Sequence, residues 1–108
     1  MAAFPSDVKY VRVNATSDGD NTVVAAVAGK SIRVLGYVLT ATAAGLITLQ
    51  DTAGTPVVHA QLSLATNGTA SYAGGLQAPA FETASGTGVE ISNPSSVDTV
   101  GHLTYIEI

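Results

Sequence analysis

The sequence contains no cysteine, which excludes disulfide staples, a thiol nucleophile and any thiolate metal site. Charge is nearly as scarce. Asp, Glu, Lys and Arg make up 11% of the chain, less than half of the roughly 25% usual in soluble domains. Thr, Ser, Ala and Gly are left to coat the outside, which suits a surface that touches other protein, because charged groups are depleted from interface cores. Tryptophan is absent and the aromatics are four Tyr and two Phe, so the core is expected to be thin and built from small branched side chains. The only cations, Lys9, Arg12, Lys30 and Arg33, are scattered over a chain of net charge −4. They make no basic stripe to neutralise phosphates, so direct nucleic-acid binding is not expected. No run of 18 apolar residues survives the interruptions at Lys30, Arg33 and Gln50, so no membrane partner is expected. The opening Met1-Ala-Ala-Phe-Pro-Ser-Asp lacks the basic and apolar regions of a signal peptide, and synthesis in a cytoplasm is expected.

What is present is strand. At 108 residues the chain suits one domain that buries roughly 65% of its unfolded surface. Its central stretch, Val23 to Asp51, reads as three consecutive strands cut at Ala28-Gly29-Lys30 and Ala43-Ala44-Gly45. Strict alternation along Ser31 to Thr42 sets Ile32, Val34, Gly36 and Val38 on one face and Arg33, Leu35, Tyr37 and Leu39 on the other. Both faces are then apolar. The expected cover is a second sheet on one side and a partner chain on the other.

Residues 1 to 6 read as a short arm ending at Phe4-Pro5-Ser6, and residues 7 to 108 as the domain. Asp7 to Ala15 alternates as a strand, followed by a turn over Thr16 to Asn21. After the Asp51 to Pro56 loop, Val57 to Leu64 places Val58, Ala60, Leu62 and Leu64 opposite Val57, His59, Gln61 and Ser63. Thr66-Asn67-Gly68-Thr69 is a hairpin signal leading to a short strand at Ala70 to Ala73. Gly74-Gly75 frees a crossover, Pro79 argues against a central strand over Gly75 to Ala80, and Val89 to Ser92 and Thr99 to Ile108 complete the pattern. Eight or nine short strands with regular turn signals and no helical period predict an all-β antiparallel sandwich, jelly-roll-like.

Candidate chemistry is thin. His59, Ser63 and Asp51 form a triad only on paper, since Ser63 and His59 lie about 13 Å apart along one strand and no Gly-x-Ser-x-Gly elbow is present. Asp18 and Asp20 beside Asn21 offer oxygen ligands for Ca²⁺, but their spacing misses the EF-hand pattern and such residues ordinarily build turns. A glycosidase would need two of Asp51, Glu82, Glu90, Asp98 and Glu107 to meet in a cleft. Tyr72 and Phe81 could form a small aromatic patch for carbohydrate. His102, like His59, reads as a buried or interface histidine. No enzyme, metal or cofactor is expected.

Three segments carry a resemblance: Val27 to Leu39 fits a "VAGKxIRVLxYxL" text, Pro79 to Ile91 fits "PxFETAxGxxLxI", and Gly101 to Glu107 fits "GHLTYxE". Together they resemble a family of small tailed-phage virion proteins, from about residue 20 onward. Proteins of this kind are similar to capsid decoration, or cement, proteins, small jelly-roll trimers on the outside of an icosahedral shell. The resemblance implies a structural virion protein on the outer capsid surface, with the major capsid protein and further copies of itself as partners. It also implies a trimer contact through an apolar strand face, for which Leu35, Tyr37 and Leu39, then Leu103 and Tyr105, are the candidates. Capsid contact would fall to Phe4 and Pro5 and to the loop bearing Asp18 and Asp20. The alternative is a receptor- or carbohydrate-binding head of a fibre or tail component.

Overall fold

Apolar and β-branched runs interrupted by glycine and proline fold here into strands alone. The computed structural model describes residues 8–108. In chain order the strands are β1 (Lys9–Ala15), β2 (Gly19–Val24), β3 (Ile32–Ala41), β4 (Gly45–Asp51), β5 (Val58–Leu64), β6 (Thr69–Ala73), β7 (Phe81–Glu82), β8 (Val89–Asn93) and β9 (Thr99–Glu107). One sheet has the order β1-β9-β3-β6, with the short β7 also pairing β3; the other has the order β2-β8-β4-β5. Every pairing is antiparallel. The chain passes back and forth between the sheets over its first four strands, and its first and last strands lie side by side. That is the jelly-roll connectivity.

Between the sheets lies a core of small branched residues, as the composition leads one to expect: Val13, Val34, Leu39, Ile47, Leu49, Val89, Ile91 and Leu103 are all buried there. Burial at this density contributes on the order of 25 cal/mol per Å² of apolar surface. The chain breaks where glycine was expected to break it. Gly29 sits at φ +73° beside a turn closed by Lys30 N–H to the Val27 carbonyl at 3.0 Å.

Strict alternation fails in β3. Its register against β9 shifts between Val34 and Gly36, which face Tyr105 and Thr104 respectively, so Leu35 is an extra residue. A bulge of this kind exchanges the two faces beyond it. Ile32 and Val34 point inward before it, and Leu39 and Ala41 point inward after it. The strand therefore looks apolar on both faces largely because its inward set changes parity, and only Leu35 and Val38 remain as large apolar residues on its outer side.

Two other expectations change. β2 starts at Gly19, inside the expected turn, because Asn21 locks the preceding bend: its amide donates to the Ser17 and Gly19 carbonyls at 2.9 and 3.0 Å and its oxygen accepts from Ser17 N–H at 3.1 Å. The Asn67-Gly68 turn does form, with Asn67 at φ +58°. It joins no hairpin, however, since β5 pairs β4 and β6 pairs β3. The turn instead carries the chain from one sheet to the other.

Candidate functional site

Directly opposed residues of an antiparallel ladder share a face. On the outer side of the first sheet, Tyr10, Thr104, Gly36 and Ala73 therefore form one row, and Arg12, His102, Val38 and Ser71 the next. Along these rows runs an open groove of about 460 Å³ whose outward side chains include Val8, Tyr10, Leu35, Val38, His102 and Thr104. Among the described residues, no Asp, Glu, Lys or Arg lines it. Its floor needs glycine at position 36, where a Cβ would come within 2.7 Å of the Tyr72 carbonyl oxygen. Tyr10 is 66% exposed and its ring stacks on His102 with centroids 5.2 Å apart. An uncharged groove with one exposed aromatic platform suits a protein surface or a neutral hydroxylated ring, and it offers no general acid or base beyond His102.

The sequence candidates are distributed differently from expectation. Leu39 and Leu103 are fully buried in the core, so neither is available to a partner chain; the bulge at Leu35 turns Leu39 inward, while Leu103, opposite Tyr37, lies on the inward face of β9. Leu35 itself lies on the opposite side from Tyr37 and Leu39 and is 6% exposed. Tyr37 and Tyr105 are half-buried against the core. Burial, and secondly the nearby Tyr72 hydroxyl, raise the pKa of Tyr37, and the two rings stack at 6.3 Å. Tyr72 donates to the Ala78 carbonyl at 2.7 Å, whereas Phe81 stacks on His59 at 4.9 Å. The expected Tyr72–Phe81 patch is thus two separate aromatic pairs.

Phe4 and Pro5 lie outside the described residues. Asp18 accepts from Ser96 N–H at 3.1 Å and stands 3.4 Å from the Ser95 hydroxyl. Asp20 accepts from the Gln50 amide at 3.3 Å. The two carboxylates of the turn are thus committed to different partners, and among the described residues no group of three or more His, Asp or Glu side chains could hold a metal.

Two polar clusters emerge, one of which, Asp51 with His59, includes two members of the triad drawn on paper. Asp51 is 1% exposed; its Oδ1 accepts from Ala53 and Val57 N–H at 3.2 and 3.0 Å, holding the β4–β5 loop. Its Oδ2 is 3.9 Å from His59 Nε2, which has no hydrogen-bond partner among the described residues. Ser63 opposes Leu46, both exposed, so the third member of the paper triad faces away from the other two. On the outer side of the second sheet, Gln50 bridges Asp20 and Glu90. These three residues are scattered over the sequence, and only the ladder pairing of β4, β8 and β2 unites them. Glu82 is occupied elsewhere, paired with Arg33 at 3.0 Å.

Fold and groove together define an all-β jelly-roll sandwich whose first sheet bears, on its outer side, a groove lined among the described residues by uncharged and aromatic side chains. Compared with known proteins, the chain matches no family model, no curated sequence and no solved structure.

Proposed function

We propose that this chain is a structural virion protein of the capsid decoration type, held on the outer surface of a phage head by many modest contacts. The observation that carries the reading is the groove face of the first sheet, where Val8 and Tyr10 stand exposed beside Leu35 and Val38 with no ionised group among the described lining residues. Such a face is costly to leave in water and well suited to a flat protein partner. Repeated around a shell, contacts of this size gain strength through multivalency and resist the separation of capsomers. The resemblance of Val27 to Leu39, Pro79 to Ile91 and Gly101 to Glu107 to tailed-phage virion proteins supports the same reading. The test is co-sedimentation of the purified chain with the phage's own heads, with copy number per particle. Near-stoichiometric binding that Tyr10→Asp abolishes is expected; a few copies at one vertex, or no binding, rejects the reading.

One observation favours a second reading, the receptor- or carbohydrate-binding head. Tyr10 lies flat on His102 beside the Thr104 hydroxyl, and an exposed aromatic ring next to neutral polar groups can stack a sugar. The position to probe is thus Tyr10 rather than Tyr72. A glycan-array signal lost in Tyr10→Ala supports this reading, and an array without signal removes it.

A further inference from the structure

Among the described residues lining the groove, His102 is the one side chain of a kind that gains or loses charge between about pH 5 and 8. It sits in the middle of β9, so the ladder fixes its neighbours on both sides. Arg12 of β1 stands directly opposite it, Val38 of β3 is opposite on the other side, and Ser71 of β6 lies beyond Val38. The adjoining rows on the same face bring Tyr10, Thr104 and Gly36 on one side and Asn14, Val100 and Thr40 on the other. From the strands packed against it, the imidazole therefore faces two titratable side chains, the Tyr10 phenol and the Arg12 guanidinium. No carboxylate stands in these three rows.

The two charge states of the ring suit different situations. In the open groove His102 is half-buried, so a protonated ring keeps water on its free side. It also lies against Tyr10, with planes 25° apart, and a cation is attracted to an aromatic face. Under a bound partner that water is lost. A cation pressed into a surface otherwise formed by Val8, Leu35, Val38 and Thr104 then has the like charge of Arg12 beside it and no carboxylate to compensate it. Burying a charge in that way is strongly unfavourable. The neutral ring escapes the penalty, since it stacks on Tyr10 without carrying charge into the contact.

We propose that His102 makes occupancy of the groove depend on pH: a partner seats on the neutral imidazole and is released as the ring takes up a proton. The identity of that partner, the outer face of a phage shell, rests on the decoration reading. Binding and protonation oppose each other reciprocally. Because the occupied groove disfavours the protonated ring, affinity is highest above the histidine range and falls as pH drops through it.

Co-sedimentation of the purified full chain with the phage's own heads, at about pH 7.5 and about pH 5.5, tests the proposal in a window above the ordinary carboxylate range. The wild-type chain is expected to bind at least about fivefold more weakly at the lower pH, with its circular dichroism spectrum unchanged. His102→Gln keeps a neutral hydrogen-bonding side chain, and whatever its affinity at the higher pH, it is expected to bind equally well at the lower. His59→Gln is the control. That histidine stacks on Phe81, outside the groove lining, and its replacement should leave the wild-type ratio of affinities. Equal wild-type affinity at both pH values, tighter binding in acid, or a His102→Gln ratio matching the wild-type one overturns the proposal and leaves the decoration reading standing. No binding at either pH rejects the decoration reading, and the proposal with it.

Discussion

Asn93, 5% exposed, ties three parts of the chain together through one side chain. Its amide donates to the Ala15 and Ser17 carbonyls at 2.9 and 3.2 Å, and its oxygen accepts from the buried Thr99 hydroxyl at 2.8 Å. Removing it strands the Ala15 carbonyl and the Thr99 hydroxyl without partners, and each such buried group costs about 1–3 kcal/mol. Asn93→Ala should therefore lose about 2–4 kcal/mol of stability in urea denaturation, with the groove untouched. Tyr37 makes a second residue-scale test. Its pKa is raised by burial and then by Tyr72, so the unfolded chain ionises its phenol first as pH climbs. The neutral form's contribution is complete below the ordinary tyrosine value of 10.0 and disappears as pH rises through the higher folded value. Thermal melts above pH 10 should thus fall less steeply for Tyr37→Phe than for wild type, and parallel curves would contradict the shift.

At the scale of elements, β3 decides what becomes surface and what becomes core. Because the bulge at Leu35 turns Leu39 inward, Leu39→Ala is expected to cost about 2–5 kcal/mol, the loss typical of a buried leucine. Chemical denaturation checks this, and a stable chain that merely changes its oligomeric state would restore Leu39 to the surface. The strands themselves were legible in the sequence. β-Branched runs, the breaks at Gly29 and Gly45, and the inward Val89 and Ile91 all follow from local pattern. Within β3, face assignment was legible only up to Leu35, since one inserted residue leaves no mark on apolar alternation and yet inverts the rest of the strand. Hairpin reading failed at Asn67-Gly68 for a related reason. The turn chemistry is local, and it fixes the bend without saying which sheet the next strand joins. The groove was hidden because Tyr10, Val38, His102 and Thr104 come from three strands that only the ladder register sets side by side.

For the whole molecule, the consequence lies in where β9 sits. It occupies the interior of the first sheet between β1 and β3, and at Gly101 it runs so close to β3 that a Cβ would overlap the Val38 carbonyl oxygen. A growing polypeptide thus holds β1 without its hydrogen-bonding neighbour until β9 has been made. Closure by distant segments is slow and leaves strand edges exposed meanwhile. Residues 1–98 made alone should show no cooperative thermal transition, while adding Thr99 to Ile108 restores one. Apolar side chains that the finished sandwich buries are therefore uncovered for longer during synthesis, and the yield of correctly folded protein will depend on how quickly β9 slides into its slot.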